Sequence, residues 1–414
     1  MGLFDFFTDR VPDQKAFTAL VVEHMKKSGE QRPISVDPQR FQVTVGDPGG
    51  GMNVLWLGNA YNEYCALPKA QRSGVLKRYE PAAYANLDFF ERKDDALRSL
   101  LPRVRDRGYP HLLSARMRRQ LGSKEADHVG LPYRPLGDVL ASSLCIDLPT
   151  TVLDCTTQTY EGWKSSIDEL WPTALENLRA ISKTPFRQVS PGVYVSPWSD
   201  SHDPARLLLP ELFKGLNVKG RVIAGVPNRS TLIVTGSEDP RGLDEFVALM
   251  KMGLKDPRPL SSMPLMLTDD GWRAFEPRGD APQFQHLRRL AVECRHVQHA
   301  DQKTELVEQF TAEEHDVFVA TWCAAVNSTT QEIINYASWT EGVPTLLPKV
   351  ELLSFVVPHG DDPGNAEVIQ VKWDDALPLV KDLMQPQPQY WPERWLVDDF
   401  PAPDVFAKLK AMAR

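Results

Sequence analysis

The stretch that decides the fold begins Asp203-Pro204-Ala205-Arg206-Leu207-Leu208-Leu209-Pro210-Glu211-Leu212-Phe213 and resumes at Gly220-Arg221-Val222-Ile223-Ala224-Gly225-Val226-Pro227-Asn228-Arg229-Ser230-Thr231-Leu232-Ile233-Val234-Thr235-Gly236. The first part reads as a helix with Asp203 as N-cap and Pro204 at its first position. The second reads as a tight hairpin, two β-branched runs around a turn at Asn228 and Arg229. An amphipathic run over residues 243–250 supplies the next helix. Helix, hairpin and helix in this order point to an α+β fold, with mixed or antiparallel sheets and flanking helices.

The same reasoning extends in both directions. On the N-terminal side, Phe17, Leu20, Val21, His24 and Met25 have helical spacing, with Pro12 and Asp13 before them and Gly29 after. Residues 41–45 and 53–57 form a hairpin around Gly49-Gly50-Gly51, which is read as a turn and not as a phosphate cradle. Residues 60–90 are expected as helix, broken near Pro68 and Pro81, and residues 94–104 as another helix. Strands are expected over 136–148 and 151–157. A helix over 167–181 must start late or kink at Pro172.

Beyond residue 264 a hairpin turns at Asp269-Asp270-Gly271, and Pro277, Gly279 and Pro282 mark a boundary. A helix over 284–310 precedes strands at 317–326, 332–339, 350–357 and 367–373. A helix capped by Asp374, a tail over 385–403 that wraps the surface, and a last helix over 404–412 complete the chain. Three regions are expected: 1–130, 131–279 and an added α+β region at 280–414.

Bulk composition narrows the function. The 414 residues carry a net charge of −8, which argues against nucleic-acid binding by electrostatics alone. Five widely spaced cysteines with no CxxC pair fit reduced, buried thiols in a cytoplasmic protein. No apolar run reaches the roughly 20 residues that span a bilayer. The segment Met1-Gly2-Leu3-Phe4-Asp5-Phe6-Phe7 is expected to pack on its own domain, with weak membrane contact as the alternative.

Three groups of strings resemble a known family. They are Trp56-Leu57-Gly58-Asn59-Ala60-Tyr61-Asn62-Glu63-Tyr64 behind the first hairpin; Leu136-Gly137-Asp138-Val139 with Asp147-Leu148-Pro149 and Ala174-Leu175-Glu176-Asn177-Leu178; and 206–212 with Val226-Pro227-Asn228-Arg229. Together, over residues 11–278, they resemble domain-of-unknown-function family 1444, the YtpQ-like proteins. That resemblance implies a cytoplasmic bacterial protein of α+β fold and carries no catalytic residues.

Several constellations compete as sites. Ser196-Pro197-Trp198-Ser199-Asp200-Ser201-His202-Asp203 holds the residue types of a nucleophile, a base and an acid, but adjacency in sequence does not make a triad. Glu293, His296 and His299 resemble metal ligands, with Glu125 and His128 as a second pair; His299 lies well round the helix from Glu293, so no metal is expected. Arg116, Arg118 and Arg119 form the basic face best suited to an acidic partner. Asn228 and Arg229, with Arg206 and Asp203 nearby, outline a polar rim for a ligand or partner. Asn228 also has a conformational reason to be there, since asparagine tolerates positive φ. Trp339 opens an apolar connection, 339–348, that either closes a core or docks another chain.

The favoured expectation is therefore a non-enzymatic protein-interaction or regulatory module with a protein partner or self-association and no cofactor. A hydrolase with its site between the 199–206 loop and the 227–230 hairpin is the alternative. A homo-oligomeric structural component joined through 339–348 and 385–403 is a third.

Overall fold

The computed structural model describes residues 11–46, 53–81, 92–121, 130–148, 152–256, 258–277, 279–326, 333–360 and 365–413. The N-terminal arm, the Gly49-Gly50-Gly51 turn, residues 82–91 and the Glu125/His128 pair lie outside them.

Asp13 caps α1 (Gln14–Lys27), its carboxylate accepting from the Ala16 amide at 2.7 Å. Its apolar stripe, Phe17, Val21 and Met25, is fully buried. It packs on an antiparallel sheet of β1 (Ile34–Asp37), β2 (Gln42–Val45) and β3 (Asn53–Trp56). The short helices α2 (Gly58–Ala66) and α3 (Arg72–Leu76) close this unit.

The expected helix over 94–104 is only α4 (Lys93–Arg98); the chain then runs into β4 (Leu100–Asp106). Pro102 cannot donate a helical hydrogen bond and would clash with the preceding turn, so the segment extends. After α5 (Tyr109–Leu121) come β5 (Arg134–Leu136), β6 (Leu140–Asp147) and β7 (Val152–Asp154). β4 and β5 flank β6, all antiparallel, and β7 pairs with the far end of β6. The division expected at residue 130 therefore cuts through one sheet, and the N-terminal unit ends before β4.

Two helices follow, α6 (Thr157–Trp163) and α7 (Ile167–Ala180). Ser166 and Glu169 form a capping box that starts α7 at Ile167 despite the proline six residues in, so the late start is not taken.

The expected helix at 203–213 is instead two 3-10 turns, Asp203–Leu208 and Pro210–Phe213, because Pro210 interrupts any longer ladder. They sit against a six-stranded antiparallel sheet of order β13-β12-β10-β11-β9-β8. Its strands are β8 (Arg187–Ser190), β9 (Val193–Val195), β10 (Val222–Asn228), β11 (Thr231–Gly236), β12 (Leu265–Thr268) and β13 (Gly271–Ala274), and α8 (Pro240–Gly253) lies across β10 and β11.

The long helix α9 (Pro282–Ala312) leads to two further four-stranded sheets. One has the order β14-β17-β21-β20, from β14 (Phe318–Val319), β17 (Thr345–Pro348), β20 (Gln385–Gln387) and β21 (Arg394–Val397). The other has the order β15-β16-β18-β19, from β15 (Cys323–Val326), β16 (Ile333–Thr340), β18 (Leu352–Pro358) and β19 (Ala366–Lys372). The β14–β17 and β16–β18 pairs are parallel, so these sheets are mixed. The helices α10 (Trp373–Val380) and α11 (Pro403–Met412) cover the second sheet; Lys372, not Asp374, occupies the N-cap of α10.

Trp339 is 1% exposed and packs on Phe355 and Phe400, which makes it core. The 339–348 connection contributes β17, and the tail over 385–403 contributes β20 and β21. The tail is therefore more than the surface wrap expected of it, since both of its strands join a sheet. No helix among the described residues is long and apolar enough to cross a membrane.

Candidate anion site

The polar residues expected to outline one rim separate in space. Arg206 is fully buried. It donates from Nη1 and Nη2 to Asp200 at 2.8 and 2.7 Å and from Nε to Ser182 Oγ at 2.9 Å. Asp203 does not cap the turn that follows it. Its carboxylate accepts from the Ser199 and Asp200 amides at 3.2 and 3.1 Å, tying back the preceding loop. Burial raises the Asp203 carboxyl above its usual range. His202 Nε2 lies 3.5 Å from Asp147 Oδ2, within ion-pair range but without a hydrogen bond. The candidate base and acid of this loop therefore serve different partners.

Asn228 holds the other end of the expected rim by its side chain. Nδ2 donates to Gly253 O at 2.9 Å and to Asp256 Oδ2 at 3.1 Å, and Oδ1 accepts from the Ser230 amide at 2.9 Å. Positive φ is not its role, since Asn228 is absent from the residues in that region. The basic face on α5 is also occupied. Arg116 Nε and Arg119 Nη2 each donate to Glu305 of α9 at 2.5 Å, and Arg119 reaches Glu308 at 3.0 Å. Arg118 lines a cavity of about 430 Å3 between α5, α9 and the 389–391 segment. Two of the three arginines thus hold helices together and do not await an acidic partner.

Among the described residues no group of three or more His, Cys, Asp or Glu side chains is placed to hold a metal ion. His299 instead stacks on Trp322, ring centroids 5.4 Å apart and planes 5° from parallel.

The hairpin tip nonetheless delivers Arg229 to a cluster that no single stretch of sequence announces. On β4, Arg103 and Arg105 are two residues apart and so share a face of the strand. Asp154 at the end of β7 lies against both: Arg103 Nη1 donates to Oδ1 at 2.9 Å, and Arg105 Nη2 to Oδ2 at 3.4 Å. Burial alone would raise the Asp154 carboxyl, but Arg103 and Arg105 outweigh it and hold the group below its ordinary value. The bridge between Asn228 and Pro259 then brings Arg258 beside Arg229. Arg258 has a left-handed backbone, φ +64°, and donates from Nη2 to Glu63 Oε2 at 2.8 Å. Glu63 also takes a two-pronged contact from Arg78 at 2.6 and 2.7 Å.

Charge in this cluster is unbalanced. Arg105 is 4% exposed, yet its Nε and Nη1 have no hydrogen-bond partner. Its guanidinium sits 5.1 Å from the centroid of the Tyr109 ring. Arg229, half-buried, has no hydrogen bond or ion pair among the described residues. Burial, then the guanidiniums of Arg105, Arg103 and Arg258, push Arg229 down to about 8. Because a guanidinium in a protein stays protonated, that depression reflects burial first and crowding by like charges second. Burial and Arg103 likewise lower Arg105, and burial and Arg78 lower Arg258. Leaving a buried donor unsatisfied costs about 1–3 kcal/mol, more for a charged one. The arrangement is suited to accepting an anion.

Sequence reading grouped Arg229 with Arg206 and Asp203 and gave Arg103 and Arg105 no part in a site. Pro102 was the available signal, since it argues for a strand and strands put alternate residues on one face. No protein-family model, curated protein or solved structure matches this chain.

Proposed function

We propose that this protein is a binding module that recognises an anionic group at the cluster of Arg103, Arg105, Arg229 and Arg258. One observation carries the reading: Arg105 is buried with two guanidinium nitrogens unpartnered, and the neighbouring Arg229 makes no hydrogen bond or ion pair among the described residues. A regulatory or interaction role in the bacterial cytoplasm accords with this. The five free cysteines support a reducing compartment. The partner surface moves from Arg116, Arg118 and Arg119 to the β4 face and the β10–β11 turn. The hydrolase alternative gains no support from the 199–206 loop, whose His202 and Asp203 turn to separate partners.

Thermal unfolding in matched ionic strength tests the reading. Multivalent anions should raise the Tm of the full chain above its value in chloride, as any ligand binding only the folded state does. Arg229→Met should erase that rise, and an equal rise in Arg229→Met would end the proposal.

A further inference from the structure

We infer that the group bound at this cluster is a phosphoryl group on a small molecule. The inference rests on the anion-site reading just given and adds the class of ligand. Charge is the first reason. Among the described residues Arg78, Arg103, Arg105, Arg229 and Arg258 meet Asp154 and Glu63, with Asp256 held by Asn228 nearby, so two to three positive charges stand in excess. A single carboxylate removes one of them. A phosphoryl group brings about −1.5 to −2 and removes most of the excess, and two linked ones would remove all of it.

Donor geometry is the second reason. Unpartnered donors come from two guanidiniums on different elements: the buried Nε and Nη1 of Arg105 on β4, and the half-buried Arg229 on the β10–β11 turn, which makes no hydrogen bond among the described residues. A carboxylate presents two oxygens in one plane. A phosphoryl group presents three in a pyramid, which arginines approaching from different directions can share.

Access is the third reason, and it sets the size of the ligand. Arg105 is buried, the Arg103 and Asp154 side chains are 14% and 21% exposed, and that of Arg258 is 25% exposed. Side chains this largely buried, each keeping only a small share of its surface exposed, suit a terminal group better than the flank of a polymer. A chain of net charge −8 also repels a long polyanion, so nucleic acid is a poor occupant.

Titration calorimetry on the full chain decides the matter, with inorganic phosphate, inorganic diphosphate, glycerol phosphate and acetate as ligands at one ionic strength. We expect at least one of the three phosphate compounds to bind at least tenfold more tightly than acetate. Preference for glycerol phosphate over the inorganic ions would identify an ester as the ligand, and the reverse a free phosphate or diphosphate. Arg229→Met and Arg105→Met should each lower that affinity at least tenfold, and Arg98→Met, on the exposed surface, should not. Acetate binding as tightly as the phosphates, and lost in Arg229→Met, overturns the phosphoryl inference and leaves the anion site standing. No binding by any of the four, or binding indifferent to both cluster variants, removes site and inference together. The Tm of each unliganded variant shows that it is folded, and Arg229→Met should match or exceed the parent because it relieves like-charge repulsion.

Discussion

The guanidinium carbon of Arg206 lies 4.1 Å from the centroid of the Trp198 ring, while Asp200 grips the same guanidinium with both carboxylate oxygens. An arginine with no exposed surface is thus neutralised by one carboxylate and one aromatic face. Stacking over an indole is favourable for a cation, and more so when water is excluded.

Asp200→Ala should therefore be costly, because it strands a buried charge. A fully buried pair loses about 3–5 kcal/mol on such a change. Asp200 keeps about a third of its side chain exposed, so we expect about 2–3 kcal/mol. The double variant Asp200→Ala with Arg206→Met should recover at least half of that in urea denaturation. A double variant no more stable than Asp200→Ala alone would contradict this account.

Glu305 gives a parallel expectation for the contact between α5 and α9. Its side chain is 7% exposed and receives both Arg116 and Arg119. Glu305→Ala should lower stability by about 2–4 kcal/mol, discounted from the fully buried case because Arg116 is 37% exposed. Alanine at Arg116 and Arg119 should lower Tm as well, and should leave anion affinity at the Arg229 cluster unchanged.

Acid should weaken the fold through His299. Burial, followed by Arg394 and Arg295, pushes its imidazole down to about 3. The unfolded chain therefore binds this proton more readily than the folded one between about pH 6.5 and 3, so stability falls as pH drops through that window. By pH 5 the loss should reach about 2 kcal/mol relative to pH 8. His299→Gln should flatten this slope in denaturation curves measured from pH 8 to pH 5. An unchanged slope would mean that His299 protonates without opening its site.

Two glycines should respond to alanine with opposite signs. A Cβ at Gly236 would lie 2.1 Å from the Lys219 carbonyl oxygen, a backbone atom that cannot swing aside. Gly236→Ala should cost about 1–3 kcal/mol or more. Gly162, within α6, has nothing within 4 Å of the added carbon. Gly162→Ala should gain about 0.5–1 kcal/mol from the lower entropy of the unfolded chain. Thermal denaturation of the two variants reads both signs.

Legibility in the sequence followed the range of the interactions. Val222, Ile223 and Leu232 to Val234 announced β10 and β11 because β-branched runs around a turn are a local signal. Phe17, Val21 and Met25 announced α1 for the same reason. β4 was read as helix because Leu97, Leu101 and Val104 happen to match helical spacing, and only Pro102 spoke against it. β17 was read as a connection because Pro344 and Pro348 bracket it, although β14 pairs only with Thr345 and Leu346 and leaves Pro348 flanked by β21 alone. The anion cluster stayed hidden for a different reason. Arg103, Asp154, Arg229 and Arg258 are tens of residues apart, and it takes the β4–β6 and β6–β7 pairings and the Asn228–Pro259 bridge to bring them together.

The placement of α9 has a practical outcome for anyone trimming this protein. Ala291 and Cys294 belong to the hydrophobic cluster built on β10, Leu287 and Leu290 to the one beneath α8, and Val292 leans on the cluster around Trp339. A cut near residue 281, where the proline-rich boundary invites one, would strip a wall from two cores on one side and leave a greasy helix on the other. Fragments made there should aggregate, whereas pieces that both retain residues 282–312 have something to fold against.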